Sequence, residues 1–400
     1  MILGKIYRLY KDAYADLPRD VWLLALVELV NRIGSMVLFF MTIYLTRIRH
    51  FTIPQAGKAL AIYGLGSLIG AYIGGKLSDK TGAYQVMKYS LILMGISLIW
   101  LGYIQTFALI MGVSFLMGIA GGVLFPATGT AISYVCTPEQ RTRGFALRRL
   151  ATNFGVTFGP IIGGFLAQIS YHILFWIDGL TCLLSAGLIM IFFKTPFSPI
   201  NNKNESHEMS PIRKDYYILK VLFFVFLNGL TFSQVLNTLP LYYRSIYGFL
   251  EYQIAFLMGI NTIMITLFEM LLLNLLKKRS IAKVIAVGSI LTGIGLALMP
   301  LGKGALFVSL TVIVWTIGEM LTFAPLTTLI AEHSTESVRG KYMGFFSLAF
   351  SVGITVGPVA GAYVYAGPGP SILWFGCGLI GLITAAGFFT LKKKKYSPIS

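Results

Sequence analysis

"GVTFGPIIGG", residues 155–164, sets four glycines and a proline into an apolar run, and "GITVGPVAGA", residues 353–362, repeats the phrase. A shift of 198 residues lays Gly155, Gly159, Pro160 and Gly163 on Gly353, Gly357, Pro358 and Gly361. The same shift lays Arg141 on Arg339, Arg143 on Lys341, and Tyr44 on Tyr242. Chance does not align several separate stretches with one offset, so the chain reads as a duplicated unit. Glycines four apart form a bare ridge on one helix face, against which a second membrane helix packs closely. Pro160 bends its helix and frees a carbonyl, which neighbouring helices can satisfy. The phrase therefore predicts a kinked, close-packed helix seam, once in each half.

Composition says where those helices lie. Of 400 residues, 56% are hydrophobic and only 12% charged, and mean hydropathy is +0.77. Soluble domains carry about 25% charged residues. Apolar runs of about 20 residues span a bilayer as helices. Such runs fall at 20–46, 54–78, 86–104, 107–135, 145–168, 173–194, 217–246, 253–276, 282–301, 304–331, 342–366 and 370–391. The fold class is all-α integral membrane, with twelve transmembrane helices in two pseudo-symmetric six-helix bundles. Residues 1–19 are a charged N-terminal segment with no cleaved-leader pattern, and 20–194 form the first bundle. The polar stretch 195–216 is a linker, 217–391 the second bundle, and 392–400 a basic tail. Parallel repeats of this kind favour a substrate site between them near the midplane.

The net charge of +17 does not call for a nucleic-acid partner. With both termini cytoplasmic, most basic residues fall in the inside segments, as the positive-inside rule requires. Arg47, Arg49, Lys58, Arg244 and Lys303 lie outside, and Arg32 lies within a span. Cys136, Cys182 and Cys377 are widely spaced and suggest neither a disulfide framework nor a metal site. No Gly-x-x-x-x-Gly-Lys-Ser/Thr loop occurs, so ATP is not the driver. No hydrolytic or redox constellation appears either, so the expectation is a protein that is not an enzyme and takes no cofactor.

After span two the chain reads "GGKLSDKTGAYQVMK". Here Gly75, Leu77, Asp79, Lys80 and Gly82 resemble the Gly-x-Leu-x-Asp-Arg/Lys-x-Gly signature of the major facilitator superfamily. Ala83 and Tyr84 depart from the usual basic pair, with Lys88 the nearest cation. The resemblance implies a gating latch in the loop between helices two and three, favouring the outward-open state. Gly155, Gly159, Pro160, Gly163 and Gly164 resemble the helix-five motif of the drug–proton antiporters of this superfamily. Arg141, Arg143 and Arg149 suit the family's basic loop before helix five, with Arg149 facing either lipid phosphate or the inner cavity. Arg148 is expected to snorkel to lipid phosphates.

Ionisable residues inside spans are costly and point to function. In span one, Glu28, Arg32, Ser35 and Phe39 share a face, with Asn31 beside it. Glu28 and Arg32 have the favourable i,i+4 order for an ion pair. The pair is either self-satisfied or opened by substrate or proton. The resemblance implies a central arginine in helix four, but span four has no charge, and Arg32 is the expected substitute. Glu319 in span ten shares a face with Thr316, Phe323 and Thr327 and has no cation within a turn. On charge pairing, Glu319 is the expected proton carrier and Glu28 the poorer one. Asp178 and Glu269 lie near span ends, where capping or anchoring is expected. Span seven carries Asn228, Thr231, Gln234, Asn237 and Thr238. The resemblance assigns these, and helices one, four, seven and ten, to the substrate cavity.

The resemblance implies a secondary active transporter working by alternating access in the cell inner membrane. The expected activity is proton-coupled export of a small amphipathic molecule such as a drug, siderophore or metabolite. The partners are substrate, protons and membrane lipids, and the protein is expected to be a monomer. A proton-coupled importer of a nutrient such as an amino acid, or a receptor or scaffold that transports nothing, are the alternatives.

Overall fold

The computed structural model describes residues 16–193, 215–276, 278–333 and 339–391. The linker up to residue 214, the charged N-terminal segment up to residue 15 and the basic tail lie outside the described residues. Among the described residues every regular element is helical, and 12 helices are long and apolar enough to cross a membrane. They run Arg19–Ile48, Ile53–Ser78, Ala83–Leu101, Phe107–Val135, Arg143–Ile169, Tyr171–Phe192, Tyr216–Ser245, Glu251–Glu269, Ile281–Leu301, Ala305–Ile330, Tyr342–Ala366 and Pro370–Thr390. We number them as spans one to twelve.

The helices fall into two compact units. The first holds spans one to six together with Tyr243–Gly259, the end of span seven and the start of span eight. The second holds the rest of span seven and the chain from Ile260 onward. In the first unit the glycines of spans two and four let backbones meet. A Cβ on Gly66, Gly70 or Gly74 would strike the backbone of Phe115, Ile119 or Val123, and one on Gly118 or Gly122 the backbone of Tyr63 or Ser67. In lipid there is little hydrophobic drive between apolar helices, so such close van der Waals contact holds the pair together. In the second unit, Gly293 of span nine meets Gly378 and Gly381 of span twelve in the same way.

The repeated glycine phrases each build the predicted seam. On span five, a Cβ at Gly155 would overlap Arg32 of span one, and one at Gly159 would lie 2.8 Å from the Ile33 carbonyl oxygen. One at Gly163 would lie 2.8 Å from the Met36 Cβ. On span eleven, Gly353 packs on Phe226 and Leu230 of span seven, Gly357 on Ser233, and Gly361 on Gln234. The duplication is therefore visible in matching contacts, span five on one and span eleven on seven.

Among the described residues, spans one and ten are each broken between two α-helices. Span one consists of the α-helices Arg19–Ile33 and Val37–Ile43 and a π-helical end, Tyr44–Ile48; the α-helices are separated at Gly34–Ser35, the kind of Gly/Ser pair at which helices kink. Gly34 allows the close approach of Thr181 from span six, whose hydroxyl a Cβ would overlap. Span ten consists of Ala305–Met320 and Phe323–His333. Pro325 has no N–H to bond the Leu321 carbonyl and its ring clashes there, which stops the first helix.

The break in span one frees amides, and Asp178 takes them. Asp178 is 1% exposed, and its Oδ2 accepts from the backbone N–H groups of Met36 at 3.0 Å and Val37 at 2.7 Å. A carboxylate at a helix N-terminus also meets the favourable end of the helix dipole. Asp178 thus caps a half-helix on another span, the capping role expected of it. Asp178→Ala leaves two buried donors without an acceptor, at about 1–3 kcal/mol each. A lowered thermal midpoint of the detergent-purified protein, partly recovered in Asp178→Asn, is the expected result; an unchanged midpoint contradicts the cap.

Candidate functional site

Among the described residues, each unit holds ionisable side chains on the helix that precedes the break in its broken span. In the first unit Glu28 is 3% exposed. Its Oε1 accepts from Arg32 Nε at 2.8 Å and from the Thr152 hydroxyl at 3.1 Å. Its Oε2 faces Arg148 Nε at 3.6 Å. The Arg148 guanidinium lies over the Phe125 ring, 4.8 Å from its centroid. Arg148, expected to reach lipid phosphate, instead turns to Glu28. The reason is its place on span five, which the glycine ridge presses against span one. Arg149 and Arg141 are exposed, and Arg143 lies 4.0 Å from Asp16, an exposed pair of little energetic weight.

Around this cluster, Asn31 Nδ2 donates to Cys182 Sγ at 3.3 Å, and the Ser35 hydroxyl donates to the Arg32 carbonyl at 2.7 Å. Phe39 packs edge-on against Phe40 with centroids 4.9 Å apart. Glu28 and Arg32 are joined directly, and Ser35 meets the Arg32 backbone, whereas Phe39 lies on the helix beyond the break in span one.

In the second unit Glu319 stands one residue before the end of its helix. Asn261 of span eight donates to Glu319 Oε2 at 2.8 Å and to the Thr316 hydroxyl at 3.1 Å. Among the described residues no cation pairs with Glu319. Its carboxyl lines a cavity with Asn228, Thr231, Phe232, Val235, Thr292, Trp315, Thr322 and Phe323. Three aromatic rings, Phe232, Trp315 and Phe323, share the walls with amide and hydroxyl groups, with Phe232 and Phe323 in edge contact at 5.1 Å. Two lining groups, Thr292 Oγ1 and Trp315 Nε1, are buried with no hydrogen-bond partner among the described residues. Asn228 and Phe323 join Glu319 in this cavity, and Thr316 reaches it through Asn261. Gln234 is 3% exposed and donates to the Gly357 carbonyl at 2.8 Å, so it serves the seam of spans seven and eleven. Asn237 donates to the Ser233 carbonyl of its own helix at 2.9 Å.

The repeat offset shows how the copies have diverged. Glu28 and Arg32 correspond to Phe226 and Leu230, whereas Glu319 and Asn261 correspond to Gly121 and Tyr63. A Cβ on Gly121 would lie 3.1 Å from the Tyr63 hydroxyl. Each unit thus holds charge at positions where the other is neutral. Sequence reasoning missed Arg148 as a partner of Glu28, and missed Asn261, Thr152, Thr292 and Trp315. No pattern in the sequence marked Asn261, whose repeat counterpart is Tyr63.

The loop after span two ends at Gly82, whose φ of 90° is a conformation side chains disfavour. This explains a glycine between the helices of spans two and three. Leu77 is exposed, Lys80 is exposed, Gly75 is half-buried, and the side chain of Asp79 lies outside the described residues.

Comparison with known proteins agrees with this architecture. Residues 24–342 match the Major Facilitator Superfamily. The uncharacterized MFS-type transporter YqjV of Bacillus subtilis (strain 168) is 24% identical over 359 residues, covering 87% of each chain. The multidrug resistance protein MdtH of Yersinia pestis (strain Pestoides F) is 24% identical over 367 residues, covering 88% of this chain and 90% of MdtH. The crystal structure of the nucleoside transporter NupG superposes with a TM-score of 0.80 at 15% identity, covering 94% of this chain and 100% of NupG.

Proposed function

From its membership of the Major Facilitator Superfamily, to which this chain belongs as a multi-pass membrane transporter, we propose that it is a proton-coupled exporter. Its cargo is a small amphipathic molecule, moved by alternating access across the cell inner membrane. The observation that carries this reading is the carboxyl of Glu319, which no cation among the described residues pairs with, in a buried cavity lined by aromatic rings and uncharged polar groups. A bare charge in such a place is costly, so gaining or losing a proton there changes what the cavity can hold. Glu28, held between two guanidiniums, is the structural carboxylate, and Glu319 is the one that carries the proton. The Gly155–Gly164 phrase resembles the antiporter motif and supports exchange, and the similarity to MdtH supports efflux as the direction.

The driving force suffices. One charge crossing 100 mV supplies about 2.3 kcal/mol, which at 1.4 kcal/mol per decade sustains a gradient of about 40-fold. Proteoliposomes with an imposed pH gradient test the reading. Accumulation of a labelled amphipathic solute on the acid side is the expected outcome. Accumulation on the alkaline side would make the protein a symporter, and flux indifferent to the gradient would remove the proton from the cycle.

A further inference from the structure

The first unit's charge cluster is not neutral. Glu28 is the single carboxylate facing two guanidiniums, those of Arg32 at 2.8 Å and Arg148 at 3.6 Å. The next carboxylate on these spans, Asp178, is turned to the amides of Met36 and Val37 and forms no ion pair with either arginine. Arg32 gives only its Nε to Glu28. Its two terminal nitrogens have no partner among the described residues, and its side chain is 33% exposed while that of Glu28 is 3% exposed. Arg148 is 11% exposed and braced on Phe125. The buried end of the cluster is thus closed by the carboxylate, and the open end presents a planar guanidinium fork.

An unneutralised cation at membrane depth is costly, and such groups sit where a counter-charge or a pathway serves them. The free edge of a guanidinium matches a carboxylate through two parallel hydrogen bonds. Phe125, 4.8 Å beneath the Arg148 guanidinium, adds apolar surface to the cluster. We propose that Glu28, Arg32 and Arg148 form a binding site for the carboxylate of an amphipathic organic anion, so that the exported molecule carries a negative group. Arg32 grips the anion directly. Arg148 is a positioning residue: it holds Glu28 so that Arg32 is not fully neutralised. The inference rests on the export reading above for the identity of the cargo, but the binding site itself does not.

Two probes of matched shape and opposite charge, 2-naphthoate and 2-naphthamidinium, test it on the full chain purified in a neutral detergent, with binding followed by calorimetry. Naphthoate is expected to bind at least about tenfold more tightly than naphthamidinium, the scale of one charge-assisted hydrogen bond. Arg32→Gln should remove that preference. Glu28→Gln should raise naphthoate affinity by about tenfold, a gain that a merely loosened protein cannot produce. If Glu28→Gln does not fold, Arg148→Gln substitutes for it: Glu28 and Arg32 then form a neutral pair, and naphthoate binding should fall while the thermal midpoint shows a folded protein.

Equal binding of the two probes, preference for naphthamidinium, or an Arg32→Gln variant indistinguishable from wild type would overturn the anion site. Displacement of naphthoate by phosphatidylglycerol at a few equivalents would assign the anion to a lipid headgroup and overturn the solute claim. Failure of export is read separately. Naphthoate binding without proton-linked flux leaves this site standing and removes the export reading, whereas proton-linked flux of naphthamidinium in a protein that ignores naphthoate does the reverse.

Discussion

Proteoliposomes carrying Glu319→Gln are expected to lose accumulation driven by a pH gradient while still exchanging labelled for unlabelled solute. Gln keeps the length of the side chain and a carbonyl oxygen that can accept from Asn261, which donates to Glu319 Oε2 at 2.8 Å in the native protein. The cavity should therefore stay formed, and only the titrating group is gone. The accumulation ratio, about 40-fold for one charge at 100 mV, should collapse to about one. Counterflow, which needs no net proton movement, should persist within a small factor. Asn261→Ala should give an intermediate result, because the carboxyl remains but loses its orienting donor. If Glu319→Gln accumulates solute as wild type does, the proton site lies elsewhere and Glu28 is the next candidate.

The second large effect lies in the glycine seam. In Gly155→Val the new side chain meets the Arg32 backbone, with a Cβ only 2.9 Å from the Arg32 carbonyl carbon. Overpacking of this kind costs about 1–3 kcal/mol. Here it also moves Arg32, whose Nε holds the buried Glu28, and breaking a buried ion pair costs about 3–5 kcal/mol. The repeat supplies an internal control. Gly353→Val strikes the Phe226 carbonyl and Leu230, where no charge is at stake, so only the packing cost applies. Gly155→Val is expected to lower the monodisperse yield and thermal midpoint well beyond Gly353→Val. Equal losses would mean that the ion pair and the seam are independent.

Much of the fold was legible because bilayer thickness imposes one long apolar run per span. The spans read at 107–135 and 342–366 match helices at Phe107–Val135 and Tyr342–Ala366. The pairing of Glu28 with Arg32 was legible for a similar reason, since one helical turn separates them. The site beyond that pair was not. Asn261 and Glu319 are 58 residues apart, and Thr152 and Glu28 are 124 apart, so no local period links them. Only the seam, which sets span five on span one, brings Arg148 inward rather than out to lipid. The break in span one had its Gly34–Ser35 pair in plain view, yet an apolar run reads the same whether or not its helix is interrupted. Pro325 hid the break in span ten in the same way.

The cap on that first break bears on how the chain is made. Met36 and Asp178 are separated by 142 residues, and ribosomes add about 5–20 residues per second. For roughly 7–30 seconds after Met36 is synthesised, the two amides at the break have no carboxylate to receive them. During that interval the nascent first span enters the bilayer with exposed donors, which water or the insertion machinery must satisfy. Completion of span six closes them, so the amino-terminal hairpins remain provisional until the sixth segment has been threaded.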